Sequence, residues 1–381
     1  MGCSAAVRLA FTMICLAAAV YASSYAGEAV APVECHPGTS PSWAPDGRLI
    51  AFFETSSGKP QLALYDSTSG AIDRLTGVWP YPGATPVWSA DQSRLFVTCF
   101  TTEMGEGERT LFRDPNLLRW DTRSRTLTAL TNFRDGVVGK PAVGATGELV
   151  CFSAPKAGAA YKLAEVSHAT AAEGAARRNL TIYYDGVWVL SRDEPPRMLL
   201  PEQAAERCPS MTPDGRRVLL TRYTEFDLTG QRRPHTDLVL CDIETGQTSA
   251  LTRDGVSFGG LLSPDGAQIA YSRAGTGGEI WLMNADGSAP RKIKGGPFVR
   301  PNVETLTWSR DGRFVLFLSE GDVFAVPTSG VGLYPLTSGL GIAERYGFSL
   351  HPDNKRIAFT KDEKVMIAEL DWSRTQSAEK H

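Results

Sequence analysis

Few residues in this chain are of types that could do chemistry. It has five histidines: His36, His168, His235, His351 and His381. A metal-dependent lyase or hydrolase needs histidines and carboxylates that converge on one point. Only His168 and His235, with Glu165 beside the first, fall in segments that could approach each other. Two solvated loop histidines account for that pattern as well. No His-Glu-x-x-His pair, Walker-type phosphate loop or EF-hand occurs. The stretch GVVGKP at 136–141 has a Gly-Lys pair without the spacing, or the following Ser or Thr, of a phosphate loop. No catalytic residue, metal ligand or cofactor is assigned from the sequence.

Recognition is the other chemistry available. Three stretches between apolar runs are long: 101–115, 154–185 and 223–235. They carry Glu103, Arg109, Arg113, Asp114, Tyr161, His168, Tyr223, Glu225, Arg232, Arg233 and His235. Arginine and tyrosine are common interface anchors, and loops longer than about 12 residues in compact domains are often functional. These eleven are the candidate binding residues, although each one alone also reads as a solvated loop side chain. Trp79, Tyr81, Phe133, Arg300 and Tyr346 stand in further connections and could add to the surface or pack its rim. The alanine-rich piece 159–178 could form a short helix. Asn179-Leu180-Thr181 is a formal glycosylation sequon.

The elements that must position these residues are repeated. PSWAPDGRLIAFF at 41–53 places a large aromatic before a Pro-Asp-Gly turn and a β-rich apolar run after it. Versions of it recur as WSADQ (88–92), VGATG (143–147), MTPDG (211–215), LSPDG (262–266), WSRDG (308–312) and LHPDN (350–354). Each is followed by an apolar strand and then a third strand such as QLALYD or DLVLCD. A turn then leads to a short fourth strand ending near Leu-Thr, as in DRLTG, TALTN, SALTR and YPLTS. Four strands at a spacing of 42 to 68 residues is the pattern of propeller blades. The expected fold is all-β: a seven-bladed β-propeller of four-stranded antiparallel blades over 36–372. Two turns should be looser, because WSADQ lacks the Gly and VGATG the Asp.

The seventh copy has no fourth strand of its own, since only the polar tail 373–381 follows its third. The apolar residues 29–33, within an N-terminal strand spanning 27–35, are expected to fill that place and remove an exposed edge. First-to-second strand turns then share one face of the disc. The three long stretches, all between second and third strands, share the other.

The SPDG turn followed by an IAF-like strand resembles the WD40-like repeat of TolB-type propellers, over about 36–372. The resemblance implies a bacterial periplasmic or cell-envelope setting. The repeat also resembles propellers attached to prolyl-oligopeptidase-type peptidases, but no hydrolase domain is read beside it here.

Composition is consistent with this. Hydrophobic content of 42% suits a full core, and a net charge of −3 leaves no basic excess for nucleic acid. Residues 1–26 read as a signal peptide: Arg8, then the apolar run LAFTMICLAAAV, then Ser24-Tyr25-Ala26 before the cut. No transmembrane segment is expected after its removal. Cys99, Cys151 and Cys241 lie in strand patterns and read as buried packing. A Cys35–Cys208 disulfide is allowed in an exported chain. The expected function is an exported module that binds a protein or cell-envelope polymer through the long loops of copies two to four. The alternative is a propeller lyase or hydrolase acting on a glycan or peptide at the channel mouth.

Overall fold

The computed structural model describes residues 31–56, 60–81, 84–104, 111–133, 137–155, 163–166, 178–181, 185–192, 194–200, 205–224, 235–274, 279–295, 305–330 and 332–376. The expected signal peptide and residues 27–30 lie outside them. The described chain is all-β except for one helical turn, Ser373–Gln376. Each of the seven sequence repeats supplies one antiparallel unit, identified here by its second strand. Unit one contains Leu49–Glu54, two Arg94–Met104, three Leu149–Pro155, four Arg217–Thr224, five Gln268–Arg273, six Phe314–Ser319 and seven Arg356–Lys361. Units three to six are four-stranded sheets in chain order. In unit two the first strand is split into Trp79–Pro80 and Val87–Trp88. Units seven and one share one sheet through the strand Val33–Trp43.

That shared strand changes partners along its length. Val33, Glu34, His36 and Pro37 pair with the third strand of unit seven, from Ile367 back to Lys364. Gly38, Thr39, Ser42 and Trp43 pair with the second strand of unit one. The pairing to unit seven therefore begins at Val33, where the expected strand 29–33 ends. The chain passes from one sheet to the other without a link, so the paired residues lie against the start of the first repeat.

The apolar runs are buried on both sides, and their alternation explains how. Side chains along a strand point to opposite faces in turn. Ala51 and Phe53 enter a cluster shared with unit two, which contains Leu95, Val97 and Cys99. Ile50 and Phe52 point the other way, into a cluster with Ala358 and Val365 of unit seven. In the same manner Val218 and Leu220 pack on unit three, while Leu219 packs on unit five. Seven such clusters occur among the described residues, each between consecutive units, and the seventh joins the last unit to the first. Cys99, Cys151 and Cys241 are fully buried in them, and burial pushes the Cys151 thiol up to about 12. Cys35 is a free thiol packed with Tyr65, Ile72 and Ile367, and its pKa is raised by burial to about 11. The side chain of Cys208, the other half of the disulfide that export would allow, lies outside the described residues.

The Asp-Gly turns are locked by side chains. The aspartate three residues before the new strand accepts the N–H of the residue that leads into it: Asp46 from Arg48, Asp214 from Arg216, Asp265 from Ala267 and Asp311 from Arg313. In units two, four, five and six the residue two places earlier is a hydroxyl (Ser89, Thr212, Ser263, Ser309) that donates to the same carboxylate. The degenerate turns are as tight as the others. Gln92 takes the left-handed conformation at φ 59° and its N–H donates to Ser89 O (3.0 Å), as Gly47 does to Ala44 O (2.9 Å). Gly147 does the same to Gly144 O at 2.9 Å. The ladder on either side sets the turn and overrides the preference of its residues.

Third-to-fourth strand turns, at the same end of each sheet, use the same device. Asp66 accepts from Thr68 and Ser69 N–H, Asp121 from Arg123 and Ser124, and Asp242 from Thr245. The Arg48 guanidinium, then these N–H groups, hold the Asp66 carboxyl at about 2. Thr212 and Ser263 lower Asp214 and Asp265 in the same direction. A carboxylate lowered in the folded state contributes stability above its ordinary pKa and loses it as pH falls towards the lowered one. The melting temperature should therefore be level above about pH 5 and fall between about pH 4 and 2. Thermal melts across that range check this, and Arg48→Gln should flatten part of the fall.

Candidate functional site

The end of each sheet opposite the aspartate turns is where the units differ. In unit seven, Lys361 and Lys364 are joined by a two-residue turn with Asp362 and Glu363 at φ 47° and 56°. Unit six is equally tight, with Ser319 paired to Asp322. Units two, three and four carry extra chain at this end. Unit two extends Arg94–Met104 and Leu111–Asp121 as an eleven-residue hairpin, paired out to Met104↔Leu111. Unit three leaves its sheet at Pro155 and returns at Asp185. Between these points Leu163–Val166 pairs with Arg178–Thr181 as a separate two-stranded hairpin. Unit four leaves at Thr224 and returns at His235.

This corrects two expectations. The stretch 101–115 is largely strand: Glu103 pairs with Phe112, Arg113 with Thr102, and Asp114 lies between paired residues. The ladder of unit two simply continues outward, because both arms stay in register. The piece 159–178 is strand at Leu163–Val166 and not a helix there. Pairing from Leu163↔Thr181 to Val166↔Arg178 overrides the helix preference of its alanines.

The candidate residues divide accordingly. Arg109, Tyr161, His168, Glu225, Arg232 and Arg233 lie outside the described residues, as does Arg300. Tyr223 is half-buried and pairs with Thr236, and His235 is exposed and pairs with Thr224. Tyr223 and His235 thus stand at the same end of unit four but on opposite faces of its sheet. Glu165 pairs with Asn179 in the inserted hairpin. Among the described residues no group of three or more His, Cys, Asp or Glu is placed to hold a metal.

The aromatic connections have separate roles. Phe133 packs edge-on to Trp188 at 4.8 Å and on Phe152 at 5.9 Å, and its N–H donates to Asn116 Oδ1. Tyr81 lies 5.8 Å from Phe100, and the Arg345 guanidinium stands 5.1 Å from the Tyr346 ring.

Sequence reading missed the partner of the Leu-Thr ends. Thr131, Thr252 and Thr337 each donate to a polar residue of the third strand: Asn116, Asp237 and Asp322. Each threonine also accepts the next N–H of that strand. The same acid or amide accepts N–H groups of the connection to the next unit, as Asp237 does from Asp254 and Gly255. This brace fixes the root of each connection on the insertion face. A polar residue 14 to 15 positions before each Leu-Thr is the signal that would have revealed it.

Comparison with known proteins bears on this arrangement. No protein-family profile matches the chain. A stretch of 104 residues is 33% identical to the Tol-Pal system protein TolB of Anaeromyxobacter dehalogenans (strain 2CP-C). That match covers 27% of this chain and 22% of TolB, so it spans about a fifth of the relative. Among solved structures, oligogalacturonate lyase from Vibrio parahaemolyticus aligns with a TM-score of 0.62 at 14% identity, over 90% of this chain and 92% of that one. Dipeptidyl peptidase 4 of Porphyromonas gingivalis aligns with a TM-score of 0.53 at 12% identity, over 86% and 50%. At such identities the likeness is one of fold. The fold class is therefore an antiparallel β-propeller. Over the 104 matched residues its repeats are similar to those of TolB.

Proposed function

We propose that this protein is an exported seven-bladed propeller that binds a protein or cell-envelope polymer through the insertion face of units two to four. One observation carries the reading: three adjacent units carry extra chain at one end of their sheets, while units six and seven end there in two-residue turns. Mobile additions without a role have no reason to gather on neighbours and on one face. The seven inter-unit clusters, the last between units seven and one, support a closed ring of seven blades. The pairing of Val33–Pro37 with unit seven supports closure by the N-terminal strand. Among the described residues the inserted hairpin has two strands, whose outer edges offer a ladder to which an extended polypeptide could add. The relative's place in the Tol-Pal system, together with the signal peptide read from the sequence, supports an envelope setting. Among the described residues no helix is long and apolar enough to cross a membrane.

Cross-linking capture from the native envelope fraction tests this. The baits are the mature chain and a variant whose 105–110, 156–184 and 225–234 segments are replaced by tight turns, after its melting transition is shown to be retained. A partner taken by the first and lost by the second supports the reading. The same captures by both baits, or none by either, would overturn it.

A further inference from the structure

Where units seven, one and two meet, on the insertion face, there is a cavity of about 200 Å³. Thr39, Ser40 and Phe53 form its buried floor, Pro80 and Tyr81 one wall, and Arg345 and Tyr346 the other. Three features make it more than a packing gap. Its walls are aromatic rings and a proline, which suit a ring-shaped body. Arg345 has no carboxylate partner among the described residues and stands against the Tyr346 ring at 5.1 Å, an arrangement that orients its guanidinium. Ser40 sits at the floor in a left-handed backbone conformation, φ 55°, within a bulge of the shared strand. Its N–H donates to Thr360 Oγ1 of unit seven at 3.1 Å. A non-glycine residue in that conformation persists where the surroundings impose it, often at binding sites.

We infer that this cavity binds a small organic acid with one carboxylate and a ring body, the carboxylate on Arg345 and the ring between Tyr81 and Tyr346. The guanidinium fork matches a carboxylate in shape and charge. The volume admits a single ring and little more. None of the described lining residues belongs to unit three or unit four.

Ligand-observed NMR and calorimetry on the mature chain test it, with benzoate, cyclohexanecarboxylate and glucuronate as probes for aromatic, alicyclic and sugar rings, and benzamide as the uncharged control. At least one acid should bind, and bind more tightly than benzamide. Arg345→Gln should weaken it by about tenfold or more, and Arg345→Lys by less. Arg345 is exposed and is not a member of the buried clusters, so both variants should keep the melting temperature. If none of the acids binds, or if the bound acid is indifferent to Arg345→Gln, the inference fails.

Discussion

Replacing Gly47 by alanine should destabilise the protein by about 3 kcal/mol or more, while the same change at Gly312 should cost only about 1–2 kcal/mol. Both glycines occupy the same place in an Asp-Gly turn, and both are left-handed, at φ 75° and 69°. The conformational cost of a side chain is therefore shared. The surroundings differ. A Cβ at Gly312 meets nothing within 4 Å, whereas one at Gly47 would overlap His351 Nε2. His351 is buried at the joint between units seven and one. Its Nε2 hydrogen-bonds Gly47 O at 2.9 Å, and its ring stands edge-on to Trp43 at 4.6 Å. Displacing the ring breaks both contacts and exposes the cluster beneath. Chemical denaturation of the two variants separates the backbone effect from the joint. Equal losses would mean that the contact across the joint contributes nothing.

The second large effect concerns the shared strand. Removing residues 27–37 should lower stability by roughly 3–5 kcal/mol, or about 5–10 °C in melting temperature for a chain of this size. The deletion takes away four ladder pairs with unit seven, the Glu34–Lys364 ion pair and the packing of Cys35 on Tyr65 and Ile367. The ion pair is exposed and adds little. The larger loss is the cover of the strand Lys364–Glu369, which would become an open edge prone to pairing with another chain. An unchanged melting temperature would show that the strand is an ornament and not a closure.

The repeat was legible in the sequence because its turn chemistry is local. Asp46, Asp214 and Asp311 act on N–H groups two residues away, so the five-residue motif and the residue after it contain the whole device. Features that depend on distant contacts were not legible. Gln92 could not be read as left-handed, since the ladder imposes it. The brace between Asp322 and Thr337 joins residues 15 apart. The handover of Val33–Trp43 from one sheet to another leaves no mark in an alternation pattern, so the pairing of His36 and Pro37 with unit seven was not legible. The length of the unit two hairpin was hidden because Glu103 and Arg113 are polar and read as loop, while their backbones pair like any strand. The cavity at Arg345 brings together residues from three units, and no local pattern contains it.

The most direct test of the account compares the two ends of one sheet. Arg216 is exposed at the aspartate-turn end of unit four, and His235 is exposed at its insertion end. The strand Arg217–Thr224 between them is eight residues long, which separates the two ends by about 25 Å. A photo-cross-linking amino acid placed at either position, in cells carrying the full-length protein, reports which face meets a partner. The account predicts a discrete adduct from position 235 and none from position 216. An adduct from position 216 alone would contradict it and move the binding surface to the opposite face.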